Sequence, residues 1–374
     1  MEKEQFNELP RPTFRFVRLN HTALPTEPPF ALQPAAIEER HEGQVEVKTG
    51  LQEELPALGN FKGASPEALA AARKGGNCNC AVTVPKGGNA SVWLTYSLTE
   101  NVPQLVGYLH AVAGKNSTLH IYELFDGDVD DGLMNLLQVI TAEDGAKIQI
   151  SKVQLHGPKV RHIDQRLTNE GEKAHIKFVN AEIGGHEVLQ YTEDNLDHDE
   201  SKFENQGMYL GSEAQLFDFT YWVQTRGCKT NTNILTTGAL MGTSKKIFKG
   251  TIDFLRGSKK AEGSEADNCL LLNKGVHSLS VPLLLCKEDD VVGNHASSSG
   301  QIDDDMLFYL MSRGFNKEGA QLIIVESRIR PVIDQLGDEN LENRALQAVR
   351  TKMQFCRQKG NCNEKCTQRF PDLE

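Results

Sequence analysis

The sequence predicts a mainly β protein with an extended start and a helical end, on three observations. Six prolines fall within residues 1–45, short alternations of apolar and polar side chains fill residues 78–292, and apolar side chains recur at three- and four-residue spacing after residue 300. Proline fixes φ and lacks a backbone donor, a two-residue period is typical of strands, and a period between three and four is typical of helices. We therefore expect an extended segment, then a β core, then helices.

The N-terminal region, residues 1–77, is expected to be an extended arm or a loosely packed cap with one short helix. Its prolines disfavour long helices and central strands. The helix is predicted in residues 65–72, because Ser65 is a good N-cap and Pro66 suits the first helical position. The two glycines that follow Lys74 end it.

The β core, residues 78–300, contains many short strands. The clearest two-residue period runs through Phe217, Phe219, Tyr221 and Val223. An antiparallel sandwich and a parallel β-helix both consist of many short strands, and in a β-helix the stacked coils bury a continuous core. No strict six- or nine-residue repeat is present, so the periodicity leaves both architectures open.

The C-terminal helical domain, residues 301–355, is predicted to contain three helices. Acidic residues 303–305 begin the first, because they complement the positive end of a helix dipole, and Gly314 supplies its left-handed stop. Asn316 caps the second helix, which Pro331 is expected either to interrupt or to follow with a third turn. The last amphipathic helix is indicated by Leu341, Ala345, Leu346, Val349 and Met353.

Charge and hydropathy argue against several classes of partner. Lys and Arg number 40 against 51 Asp and Glu, a net charge of −11. This disfavours nucleic acid and anionic membranes, because phosphate contacts are made mainly by Lys and Arg. A spanning helix needs about 20 apolar residues, and the opening residues contain no apolar stretch of a secretory signal. We therefore expect a cytoplasmic protein whose eight cysteines are thiols.

Few motifs for chemistry are present. The sequence has no phosphate-binding loop, so we expect this chain to bind no nucleotide. Cys356, Cys362 and Cys366, in the tail of residues 356–374, have a spacing that suits zinc or an iron–sulphur cluster. No fourth ligand is obvious, and Cys78 or Cys80 could supply one only if the two ends of the chain meet, so an exposed reduced tail is favoured. His295 stands among small residues between a strand and a helix, where a neutral imidazole can ligate iron, although a hydrogen-bonded loop histidine is the commoner case.

Eight short blocks carry a more specific signal. They are LPRPTFRF (9–16), VNAEIGG (179–185), IFKGTIDF (247–254), LLL (270–272), SVPLLL (280–285), DDVVGNHA (289–296), GQID (300–303) and LFYLMSRG (307–314). Together they resemble the SufB/SufD family of iron–sulphur cluster assembly proteins, and its SufD branch in particular. The resemblance covers about residues 9–336, strongly after residue 246 and patchily before it. In the first block Phe stands where the family often has Trp.

The resemblance implies a fold and a set of site residues. The family has an extended or helical N-terminal region, a right-handed parallel β-helix core and a C-terminal helical domain, which resolves the two open architectures in favour of the β-helix. His295 occupies the place of a histidine that lies at the SufB–SufD interface and takes part in cluster formation. The segment that binds the SufC ATPase is matched by Leu307, Phe308, Tyr309 and Arg313.

Membership of the SufD branch rests on one further position. SufB proteins have a cysteine upstream of the interface, and the corresponding position here, counted without gaps, is Ala266. Cys269 lies three residues further on and does not align. The missing cysteine therefore favours the SufD branch.

The resemblance also implies a function. We expect a non-catalytic scaffold subunit that pairs with a SufB-like subunit, binds a SufC-like ATPase, and holds a nascent iron–sulphur cluster with its partners before transfer to apo-proteins. Isolated chains can pair as homodimers, because an exposed strand edge seeks a partner. Two alternatives stay open: a β-helix enzyme that acts on polysaccharide, and a metal-binding protein that uses the cysteine tail.

Overall fold

A computed structural model describes residues 3–12, 19–26, 32–50, 55–74 and 76–358. Strands account for 51% of the residues and helices for 15%, so the predicted mainly β class is confirmed. The β core is a solenoid of about 8 turns, with helices at its C-terminal end.

Two nine-stranded sheets form the solenoid, and the chain alternates between them. Sheet I contains, in spatial order, β3 (Glu38–Gly43), β6 (Asn89–Ser97), β8 (Thr118–Asp126), β10 (Lys147–Gln154), β12 (His175–Glu182), β14 (Lys202–Gly211), β16 (Asn231–Leu240), β18 (Ala261–Leu271) and β20 (Val291–Gln301). Sheet II contains β4 (Glu46–Thr49), β5 (Cys80–Val84), β7 (Gln104–Ala113), β9 (Gly132–Ala142), β11 (Val160–Glu170), β13 (Glu187–Leu196), β15 (Leu216–Thr225), β17 (Lys245–Phe254) and β19 (His277–Cys286). Each coil thus contributes one strand to each sheet.

Strands of successive coils run parallel, which decides between the two predicted architectures. Lys147 of β10 pairs with Thr118 of the coil before it and with His175 of the coil after it. Within these two sheets every pairing from β5 and β6 onward is parallel, and only β3 and β4 are antiparallel to their neighbours. The antiparallel sandwich is therefore wrong and the parallel β-helix is confirmed.

The interior of the solenoid is filled by the side chains that alternate inward. Phe217, Phe219, Tyr221 and Val223, which gave the clearest strand signal, lie in β15, and all four are buried in the interior cluster. Neighbouring coils stack aromatic rings in the same core, as where Tyr96 and Phe125 lie parallel with centroids 4.8 Å apart. Burial of such rings is a major source of stabilisation in a fold of this kind.

The N-terminal region is extended, as predicted, but it is not loosely packed. Strands β1 (Lys3–Phe6) and β2 (Thr22–Pro25) form an antiparallel pair. Helix α1 (Pro66–Arg73) has Ser65 as its N-cap, so the predicted capping is confirmed. Phe6, Leu24 and the apolar face of α1 are buried against sheet II. Apolar side chains spaced between the prolines allow this packing, which proline content alone does not reveal.

The C-terminal helices are α2 (Asp304–Ser312), α3 (Lys317–Ile333) and α4 (Glu339–Gln358). Asp303 and Asn316 cap the first two through their side chains, as predicted. The predicted interruption at Pro331 is wrong, because α3 continues through it to Ile333. Proline removes one helical hydrogen bond, and α3 tolerates this loss because it ends within the next turn.

Helices α3 and α4 pack on the outer face of sheet I, whereas α2 does not. Val325, Ile329 and Val332 of α3 share a buried cluster with residues of sheet I. Lys352 of α4 is also buried and donates hydrogen bonds to the Leu210 carbonyl and the Gln215 side chain, each at 2.5 Å. In contrast, no residue of α2 is buried.

None of the helices in the described part of the chain is both long and apolar enough to cross a membrane. The proposed division of the chain at residues 77, 300 and 355 stays a prediction. Cys356 falls in the last turn of α4, and Cys362 and Cys366 lie outside the described residues.

Candidate functional site

The last coil of the solenoid leaves one edge of sheet I open. β20 pairs with β18, and no described strand lies on its other side. Its residues from Val292 to Gln301 are all exposed. A strand edge of this kind presents unpaired backbone N–H and C=O groups, to which another chain can add a strand. We call β19 and β20 together the end coil.

His295 lies in the middle of this exposed strand. The sequence placed it in a loop between a strand and a helix, and that expectation is wrong, because β20 runs in continuous parallel register with β18 through Gln301. His295 pairs in register with Glu265 of β18. Half of its side chain is exposed, at 50%. The imidazole is therefore both fixed by a strand and accessible from solution.

Glu265 is the acidic neighbour of that imidazole. Its Oε1 lies 4.0 Å from His295 Nδ1, and its side chain is 0% exposed. Neither carboxylate oxygen has a hydrogen-bond partner of ordinary geometry. Burial raises the pKa of Glu265 to about 8, and the Leu283 backbone opposes this shift only in part. A buried carboxyl without a partner is costly to ionise, so its retention requires an explanation.

Two further chemically active side chains share the inner face of β18. Asp267 and Cys269 follow Glu265 at two-residue spacing, and both are buried. Asp267 is ion-paired with the fully buried Lys246, although burial still raises its pKa. Cys269 is a free thiol whose pKa is raised by burial. Asp267 is thus neutralised by a cation, whereas Glu265 is not.

Gly250 of β17, on the facing sheet, makes room for the Glu265 carboxylate. A Cβ atom at Gly250 would lie 1.9 Å from Oε2 of Glu265, far inside contact distance. At Gly300 of β20, in contrast, a Cβ atom would meet nothing within 4 Å. The end of the solenoid is therefore shaped around this carboxylate.

Substitution of Gly250 by Ala is expected to lower the free energy of unfolding by about 1–3 kcal/mol, because the added methyl group overpacks the core. Gly300→Ala, the same change in open space, should alter it by less than about 0.5 kcal/mol. Adding Glu265→Ala to Gly250→Ala should restore part of the stability, since it removes the nearest atom that the methyl group meets and leaves Cε1 of Phe248, at 2.9 Å. Urea unfolding of the variants measures this, and a fully stable Gly250→Ala chain would contradict the packing described.

A second feature is the exposed apolar surface of the helix that follows the end coil. Phe308 is 73% exposed, Tyr309 55% and Met306 48%. Of the other residues predicted to contact an ATPase, Leu307 is half-buried, and Arg313 ends α2 with its guanidinium 5.2 Å from the Tyr309 ring centroid. We call Met306, Phe308, Tyr309, Met311 and Phe315 the α2 surface. Exposed apolar groups of this density are typical of binding surfaces.

The structure also places the cysteines. Cys78, Cys80 and Cys269 are buried, and the described part of the chain holds no cluster of three or more His, Cys, Asp or Glu residues arranged for a metal. Ala266, the position of the missing cysteine, pairs with Ala296. Burial alternates along β18, with Glu265 and Asp267 buried and Ala266 only half-buried, so Ala266 points away from the Glu265 side. A metal site formed by three residues of this chain is therefore not present in the described region.

Comparison with known proteins adds an independent observation. A family model described as the SufBD core domain of the SUF system for FeS cluster assembly matches residues 97–328. Among curated proteins, iron-sulfur cluster assembly protein SufD of Bacillus subtilis is 24% identical over 70% of this chain and 61% of its own length. The SufD proteins of Escherichia coli and Plasmodium falciparum are also 24% identical, over 56% and 66% of this chain and 50% and 17% of their own lengths.

The chain thus spans less than two thirds of the length of each of these relatives. The matched region includes the end coil, α2 and most of α3. The two candidate surfaces therefore lie within the part of the chain that is shared with these proteins.

Proposed function

The chain belongs to the SufBD core family of the SUF iron–sulphur cluster assembly system, and on this premise we propose that it is a scaffold subunit for cluster assembly and not an enzyme. The observation that carries the proposal is the accessible imidazole of His295 on the unpaired edge of the end coil. A neutral imidazole nitrogen is a good ligand for iron. The nascent cluster is the cargo of this site, and this chain binds no nucleotide.

The end coil is the proposed seam with a SufB-like subunit. An open edge strand gives affinity through backbone hydrogen bonds when a second strand is added to it. β20 supplies eleven residues of such an edge, and its small side chains permit close approach. A cluster assembled at His295 would then be shared between two subunits. Pairing of two copies of this chain is the corresponding arrangement when the partner is missing.

The α2 surface is the proposed contact for a SufC-like ATPase. Its large apolar side chains are exposed, and α2 buries none of its residues against the solenoid. Aromatic and methionine side chains are enriched in protein interfaces. α2 begins at Asp304, directly after β20 ends at Gln301. An ATPase that binds one position of α2 better than another would shift the arrangement of the neighbouring seam.

His295→Ala is expected to lower iron and sulphide loading of the reconstituted complex at least about tenfold, since loss of a metal ligand or its support typically costs 10–100-fold. The fold should be unaffected, because half of the side chain is already exposed. His277→Ala, which removes another exposed histidine of the end coil, is the matched control. Iron and sulphide analysis after anaerobic reconstitution gives the answer, and undiminished loading of His295→Ala counts against the proposal.

A further inference from the structure

The inner face of β18, beside the end coil, holds one buried carboxyl that no described Lys or Arg side chain neutralises. Glu265 and Asp267 are both buried on β18. Lys246 pairs with Asp267, whereas no described Lys or Arg pairs with Glu265, whose oxygens have no hydrogen-bond partner of ordinary geometry and which only the Leu283 backbone helps to ionise. On the open side His295 pairs in register with Glu265, and its Nδ1 lies 4.0 Å from Oε1. Burial keeps a carboxyl of this kind largely protonated until a cation binds beside it, so its position next to an exposed imidazole points to a cation from outside the described part of the chain.

The geometry of the two side chains suits a shared metal ion. His295 Nδ1 and Glu265 Oε1 are 4.0 Å apart. Bonds from a divalent metal to an imidazole nitrogen and a carboxylate oxygen are each about 2.0–2.2 Å, so one ion between the two atoms can bind both with little movement. The strands hold both residues in register, and Gly250 leaves the space in which the carboxylate sits.

The donor set also indicates which ion is favoured. Non-haem ferrous iron is typically held by two imidazoles and one carboxylate with open positions. Glu265 and His295 supply one of each, and the absence of a thiolate from the pair disfavours copper(I). Cys269 lies two inner positions beyond Glu265 along β18, and His295, Glu265 and Cys269 form no three-residue metal cluster. Two ligands from this chain leave the remaining positions to sulphide, to water or to a second subunit.

We propose that Glu265 and His295 jointly bind one ferrous ion at the end coil, with Glu265 as the buried anionic ligand beneath the exposed imidazole. The proposal rests on the proposed function in one respect only. Cluster assembly with a second subunit would account for the ligands that fill the remaining positions of the ion. The proposal assigns a role to Glu265, which the resemblance does not cover, and it explains why this carboxylate is unpaired while Asp267 is not.

The test is anaerobic binding of Fe²⁺ alone, measured by equilibrium dialysis on the full chain and on the complex it forms. Glu265→Gln keeps the shape of the side chain and removes its charge, and it should weaken binding at least tenfold. Glu262→Gln, the same change at an exposed position of the same strand, should not. If both ligands hold one ion, the double variant Glu265→Gln with His295→Ala should be no weaker than His295→Ala alone.

Folding is checked separately, because loss of binding must not reflect loss of structure. Glu265→Gln should melt at or above the temperature of the unaltered chain, since it replaces a buried ionisable carboxyl by a neutral amide of the same shape. Fe²⁺ binding that Glu265→Gln leaves unchanged, or an unaltered chain and complex that bind no Fe²⁺, would overturn the proposal. A chain that binds Fe²⁺ through both residues but forms no complex with SufB-like or SufC-like partners would support this site and reject the proposed function.

Discussion

Phe308→Asp should abolish capture of a SufC-like ATPase, with a loss of affinity of about 100-fold or more. Phe308 is the most exposed large apolar side chain on the α2 surface, at 73%. Central aromatic residues of an interface typically contribute 2 kcal/mol or more to binding, and a charge in their place is left desolvated. Leu307 is less suited to the test, because it is half-buried and its loss would disturb the packing of α2. Co-purification and calorimetry with the ATPase measure the effect.

The end coil provides the matched control for this variant. Val292, on β20, is another exposed apolar residue, at 54%. Val292→Asp should leave ATPase binding intact and weaken pairing of the scaffold subunits. A folded Phe308→Asp chain that still retains the ATPase, or equal loss of ATPase binding in both variants, would reject the α2 surface as the contact.

Lys249→Met should lower the free energy of unfolding by about 3–5 kcal/mol, because it leaves Asp218 as a buried charge without its partner. Lys249 Nζ lies 2.8 Å from Asp218 Oδ2, and both side chains are 0% exposed. The same amine donates to the Asn7 carbonyl at 2.9 Å, and the Thr22 hydroxyl donates to Asp218. Burial lowers the pKa of Lys249, and Asp218 opposes that shift. The pair therefore holds the N-terminal strands against sheet II.

Two companion variants show whether the lost ion pair is the cause. Lys249→Met combined with Asp218→Leu should recover most of the stability, since a buried pair replaced by apolar residues is often neutral or better. Lys259→Met, at an exposed position, should change stability by less than about 0.5 kcal/mol. Denaturant unfolding gives all three values. If the double variant is no more stable than Lys249→Met, the cost does not come from the unpaired Asp218.

Local features of the fold followed from local rules. The caps Ser65, Asp303 and Asn316 are where residue chemistry placed them. The sequence pattern could not decide between a sandwich and a solenoid, because both architectures give the same two-residue alternation of apolar and polar residues. The coils also carry no fixed residue pattern. In β15 and β17 Phe219 pairs with Phe248 but Tyr221 pairs with Gly250, so positions that are equivalent in the structure share a residue type only in places.

The candidate site was only partly predictable, because local sequence patterns do not show which strands pair between coils. His295 was identified through a resemblance, although it lies in a strand and not in a loop. Glu265 was missed, because an acidic residue in an alternating strand is normally expected to face solvent. Only the pairing of β18 with β20 brings it under the imidazole, one coil away in the chain. A signal for it was present in the sequence. Glu265, Asp267 and Cys269 follow one another at two-residue spacing, so they share one face of a strand, and that face of β18 is buried.

Hydrogen exchange of the backbone amides in the free chain and in the complex from the native host tests the central claim most directly. An edge strand and an unpacked helix exchange quickly until a partner covers them. We expect fast exchange in residues 291–301 and 304–312 of the free chain. In the complex both should slow markedly, the strand with the scaffold partner and the helix with the ATPase. Unchanged exchange in both segments of an intact complex, with new protection elsewhere, would contradict the claim.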